Sequence, residues 1–159
     1  MLNKNGIVHW SEEYSIGLET IDAQHMALIE LVNDLWRAIA SNAPVEVSQR
    51  LLERLEHYTV AHFGAEESMM RALQYPDFAT HKLAHAKFVH RIQAERQHLL
   101  QGRNLSLDIL HFLRDWLVNH ILVSDKAYAR FCAEKEQPMG FFSRLFSRLR
   151  GTDREALSA

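Results

Sequence analysis

The sequence predicts an all-α fold: an up-down-up-down antiparallel four-helix bundle with an extended N-terminal arm and a short C-terminal amphipathic segment. Apolar residues recur at three- and four-residue steps through four long stretches, the period of amphipathic helices. Those stretches are separated by short breaks, "SNAP" at 41–44, "YPDF" at 75–78 and "GRNLS" at 102–106. Only 6 Gly and 3 Pro occur in 159 residues, too few turn formers for a many-stranded protein.

Residues 1 to about 18 show no helical period, and "IVHWSEEYSIG" reads as an extended arm whose Trp10 docks it on the bundle. The first helix begins near Thr20, with Thr20 or Asp22 as cap, and carries Ile21, Leu28, Leu31, Val32, Leu35 and Ile39 inward. The second runs from about Val45 to Leu73, with Leu51, Leu52, Leu55, Tyr58, Val60, Phe63, Met69 and Met70 on its apolar side. The third starts after Asp77, a plausible cap, and reaches about Gln101 with Leu83, Phe88, Val89, Ile92 and Leu99 inside. The fourth spans about Leu107 to Glu134 and carries Ile109, Leu110, Leu113, Trp116, Leu117, Ile121 and Leu122, before "EQPMG" stops it. Residues 1–135 form the bundle domain. Residues 136–159 form a tail outside it.

Bulk composition narrows the class. Hydrophobic residues at 47% and charged residues at 24% are ordinary for a globular protein. A formal net charge of −2 argues against a general nucleic-acid binder. One cysteine, Cys132, excludes an internal disulfide and fits a reducing compartment. The chain shows neither a signal-like apolar start nor a run of about 20 apolar residues. The expected location is therefore the cytoplasm.

Seven polar side chains interrupt the apolar faces. His25 lies near the start of helix one, and His62 and Glu66 lie four apart near the end of helix two. His81 and His85, also four apart, lie near the start of helix three, and His120 and Asp125 lie toward the end of helix four. Residues four apart share a helix face. In an antiparallel bundle these four helix ends meet, so all seven lie within roughly 6 to 20 Å of one end of the bundle at about 1.5 Å per residue. Five imidazoles and two carboxylates buried together are costly without a cation. Two bridged metal ions, iron or manganese, use all seven; a single zinc needs only three or four. The lack of a nearby cysteine set argues against an iron–sulfur cluster. One spacing is awkward: five residues turn an ideal helix by about 500°, leaving Asp125 about 140° from His120. A long reach or a local bulge in helix four is required.

The ordered set "W…SIG…ID-x-QH" (Trp10, Ser15, Ile16, Gly17, Ile21, Asp22, Gln24, His25), "H-F-x-x-E", "H-x-x-x-H" and "H-x-x-x-x-D" resembles the hemerythrin family over about residues 8 to 132. The resemblance implies reversible dioxygen binding at a non-haem di-iron site, not an enzyme. His81, His85 and His120 would hold one iron, and His25 and His62 the other. Glu66 and Asp125 would bridge them beside an oxo or hydroxo group, leaving the second iron an open position for dioxygen. Family members use the same five-residue step. The residues themselves favour reversible binding, because two carboxylates against five neutral imidazoles stabilise ferric ions less than a carboxylate-rich set. Leu28, Phe63, Trp116, Leu122 and Val123 are the expected lining of a dry dioxygen pocket. His9, His57, His90, His98 and His111 have no matching positions and read as surface or core-edge residues.

Other functions remain open: a redox or oxygen sensor, a nitric-oxide or peroxide scavenger, or an iron-handling protein. The tail segment "FFSRLFSRLR" (141–150) sets Phe141, Phe142, Leu145, Phe146 and Leu149 against Arg144, Arg148 and Arg150. It packs on its own bundle, or it makes a weak contact with an anionic membrane surface or a protein partner, which would make the chain peripheral at the membrane. Oligomeric state is open, and a monomer is compatible with the sequence.

Overall fold

A computed structural model describes residues 6–135. The tail expectations for 136–159, including 141–150, lie outside the described residues. The described part is helical, with α1 (Glu19–Ala40), α2 (Val45–Ala72), α3 (Phe78–Leu100) and α4 (Leu107–Asn119). A π-helical turn, His120–Asp125, then runs without a break into α5 (Lys126–Glu134), so α4, the turn and α5 form the fourth rod. α2 packs on α1 and α3, and α1 on α4.

The three connections stop their helices in the same way. Asn42, Gln74 and Gly102 take left-handed backbone angles (φ 51°, 54° and 78°). The next residue then donates its N–H to a carbonyl five positions back: Ala43 to Ala38, Tyr75 to Met70, Arg103 to His98. This satisfies carbonyls that the last helical turn leaves open. The caps at the helix starts differ from expectation. Leu18 takes the N-cap of α1, because Asp22 is occupied with the arm, and Asp77 caps α3 by position without a side-chain bond.

The arm is tied down at two points. The Asn33 carboxamide accepts from Ile7 N (2.9 Å) and Val8 N (3.2 Å) and donates to Val8 O (2.8 Å). A Cβ on Gly6 (φ +107°) would come 2.6 Å from Asn33 Oδ1, so this close approach requires glycine. The Asp22 carboxylate accepts from Ser15 Oγ (2.7 Å) and Ile16 N (2.8 Å). Between these ties, Trp10 packs on the core edge-on to Tyr14.

Two apolar clusters fill the interior. The larger includes Leu28, Leu35, Leu52, Leu55, Phe63, Phe88, Leu99, Ile109, Leu113 and Leu117. The smaller closes the other end with Ile21, Ala65, Met69, Met70, Tyr75, Tyr128 and Cys132. Two apolar residues fall outside the core that periodicity gave them. Val60 is 51% exposed and Leu83 56%. Leu83 lies two residues from both His81 and His85, about 200° around the helix from each, so turning both rings inward turns Leu83 out.

Candidate metal centre

The seven predicted donors converge in a layer between the two clusters. On α1, His25 lies between Ile21 and Leu28; on the fourth rod, His120 and Asp125 lie between Leu117 and Tyr128. All seven are buried, none more than 4% exposed. The other five histidines stay outside this layer, and four of them are exposed.

The awkward spacing is resolved by the backbone. In a π-helical turn the hydrogen bonds run from i to i+5, so the fifth residue on comes round to the same face. His120 Nε2 and Asp125 Oδ1 are accordingly 3.2 Å apart. The same turn carries Val123 outward: it is 58% exposed, so it does not line a dry pocket as expected. Leu122 is half-buried and lines a surface hollow with Ile7, Val8, His9 and Tyr14. Leu28 is buried one turn from His25. Phe63 stacks flat on His85, centroids 3.6 Å apart and planes at 3°, and half-buried Trp116 stacks on His120 at 4.3 Å and 12°. Those two rings shield the imidazoles from water.

The donor atoms divide into two sets. His81, His85 and His120 bring their Nε2 atoms into a triangle with edges of 3.1, 3.0 and 3.0 Å. Donors about 2.1 Å from one centre and at right angles stand about 3.0 Å apart, whereas a tetrahedral set would stand about 3.4 Å apart. The triangle therefore suits one face of an octahedron. Glu66 Oε2 (3.3 Å from His85) and Asp125 Oδ1 (3.2 Å from His81) join this set. The other carboxylate oxygens face the second set: Asp125 Oδ2 lies 3.2 Å from His25 Nε2, and Glu66 Oε1 lies 3.6 Å from His62 Nε2. Each carboxylate thus reaches both sets. The first has three imidazoles and the second has two.

The electrostatics call for cations. His62 Nδ1 lies 2.8 Å from Gln24 Oε1 and His85 Nδ1 3.1 Å from Glu67 Oε1, so both rings donate from Nδ1 and turn a lone pair inward at Nε2. Among the described residues, both oxygens of Glu66, both of Asp125 and both ring nitrogens of His25 lack a well-aligned hydrogen bond. Burial, then the neighbouring rings, pushes the His62 and His85 imidazolium pKa values well below the ordinary range. Burial, then Asp125 and Glu67, pushes Glu66 well above the carboxylate range. Burial also opposes ionisation of Asp125, but His120, with His25 and His81 beside it, outweighs burial and holds Asp125 well below that range. Lone pairs directed at a dry space make a cage that fits a metal ion. The five donors Glu66, His81, His85, His120 and Asp125 lie within 4.8 Å of one another, as do His25, His62 and Glu66.

The family model for the hemerythrin HHE cation binding domain matches residues 16–132. The chain belongs to the hemerythrin family. It is 35% identical over 120 residues to a bacteriohemerythrin of Stenotrophomonas maltophilia, covering 76% of this chain and 78% of that one. A bacteriohemerythrin of Methylococcus capsulatus is also 35% identical, over 73% of this chain and 88% of its own. Among solved structures, a wild-type hemerythrin superposes with a TM-score of 0.72 at 32% identity, covering 78% of this chain and 96% of that one.

Against that hemerythrin frame, sequence reasoning missed two residues. In the sequence Gln24 stands out only as part of a motif and Glu67 does not stand out, yet they orient His62 and His85. A signal was present: each is adjacent in sequence to a donor, Gln24 to His25 and Glu67 to Glu66, on the buried edge of its helix. Which ring each would meet depends on how the helices pack.

Proposed function

We propose that this chain holds two iron ions and binds dioxygen reversibly. His81, His85 and His120 would hold one ion and His25 and His62 the other, with Glu66 and Asp125 bridging them. The observation that carries this reading is the division of carboxylate oxygens, one from each residue toward each histidine set. The set of nitrogen and oxygen donors without thiolate suits iron in octahedral coordination. When bound, ferrous ions would supply the electrons that dioxygen binding requires, and the chain would offer fewer donors to the ion held by His25 and His62 than to the other.

The residues of the chain supply the rest. Gln24 and Glu67 fix which nitrogen of His62 and His85 faces the ions. The buried layer excludes bulk water from the donors. Phe63 and Trp116 close the His85 and His120 side with flat aromatic faces. Two negative charges among five imidazoles restrain the stabilisation of ferric ions and favour release over irreversible oxidation. This makes the chain a binding protein for oxygen storage, delivery or buffering.

The test is optical. Protein loaded with ferrous iron without oxygen should be nearly colourless, gain a visible charge-transfer band in air, and lose it when oxygen is removed. A band that never forms, or never reverses, would refute reversible binding.

A further inference from the structure

Tyr128 is fully buried, and its hydroxyl makes no well-aligned hydrogen bond among the described residues. A buried phenol O–H without an acceptor is a standing cost that phenylalanine would avoid in the same shape. Its surroundings suggest what the hydroxyl is for. Tyr128 lies three residues beyond Asp125, one helical turn away, on α5. It packs in the same cluster as Ala65 and Met69, which flank Glu66 on α2. Burial, followed by the neighbouring Cys132 side chain, to which the hydroxyl makes at most a weak hydrogen bond, and then by charge on Glu66 and Asp125, keeps the phenol protonated, so it is a donor.

The Glu66 carboxylate, whose oxygens also lack a well-aligned hydrogen bond among the described residues, belongs to the same buried region as this weakly satisfied donor. Asp125 is the more crowded carboxylate, with ring nitrogens 3.2 Å from each of its oxygens. Glu66 Oε1 has ring nitrogens only at 3.6 and 4.0 Å. The thiol of Cys132, one turn further along α5, is a weak acceptor.

We propose that Tyr128 is a positioning residue for the metal centre: its O–H donates to the Glu66 carboxylate when that group bridges two cations, and so holds the carboxylate plane in place. The proposal rests on the two-ion reading above. It also makes the hydroxyl a burden without metal and an asset with it, a change of sign that simple packing would not produce.

The experiment compares wild type, Tyr128→Phe and Cys132→Ala, each metal-free and each loaded anaerobically with ferrous iron. Metal-free Tyr128→Phe should melt a few degrees above wild type, since the unpaired hydroxyl is gone. Iron-loaded Tyr128→Phe should release iron to a ferrous chelator about tenfold faster than wild type, the scale of losing a hydrogen bond to a charged group. Cys132→Ala should release iron at the wild-type rate. Melting shifts of the same sign in both states, or an unchanged release rate, would overturn the proposal. So would Cys132→Ala matching Tyr128→Phe, which would assign the effect to packing. Wild-type protein that takes up no iron at all would remove the proposed function, and this proposal with it.

Discussion

The interior contains two layers built on opposite rules. In the larger apolar cluster, residues such as Leu35, Leu52, Leu55, Ile109 and Leu113 are fully buried and need only each other. In the donor layer, side chains just as buried direct lone pairs at one another with few hydrogen bonds to satisfy them. The first layer gains stability from burial at about 25 cal/mol per Å² of apolar surface. The second spends part of that gain. A bound cation would return it, so the comparison separates what holds the fold from what would give it a purpose.

Breaking each layer in turn should give opposite phenotypes. The largest effect is expected from Glu66→Ala or His25→Ala: the oxygen-dependent band is lost, while circular dichroism still reports a helical bundle. Unaltered oxygen binding in either variant would show that the donor assignment is wrong. Leu55→Ala should do the reverse, lowering the unfolding free energy by about 2–5 kcal/mol in denaturant titration while the band remains.

Removing the metal by chelation sharpens the same contrast. A ligand at a thousand times its dissociation constant stabilises the folded state by about 4 kcal/mol. Stripped protein should therefore melt well below loaded protein, and the difference should shrink in Glu66→Ala. A smaller effect is expected from Glu67→Gln, which keeps an acceptor for His85 Nδ1 but removes its charge. Iron affinity should fall by about tenfold, the lower end for outer-shell changes, without loss of fold.

How far each layer could be read from sequence follows from its physics. Helix ends came out within a residue or two, because "SNAP", "YPDF" and "GRNLS" interrupt strong periodicity and the chain there adopts left-handed stops at Asn42, Gln74 and Gly102. The donors were legible because His62 and Glu66, and His81 and His85, are four apart in otherwise apolar faces. The π-helical turn was legible only as a misfit, since the five-residue step from His120 to Asp125 shows that something must give without showing what. Val60, Leu83 and Val123 misled because apolar character does not say which way a residue faces once the histidines have taken the interior. Gln24 and Glu67 depend on contacts between α1 and α2 and between α2 and α3, which no single helix encodes.

The smallest expected effect concerns Cys132, in the cluster beyond the donors. Burial pushes its thiol up to about 11, so it stays protonated at pH 8. The folded-state pKa is raised, so the associated stability is present below the ordinary value near 9 and is lost as pH rises toward 11. Iodoacetamide labelling at pH 8 should be slow in the native protein and fast in denaturant; fast native labelling would mean this cluster opens readily.

The central claim is that seven side chains from four rods hold a pair of ions, and its most direct test is stoichiometric. Anaerobic titration of metal-free protein with ferrous iron, followed by metal analysis after desalting, should give two irons per chain in wild type and fewer than two in His85→Ala. Saturation at one iron or none in wild type, or two irons retained in the variant, would contradict it.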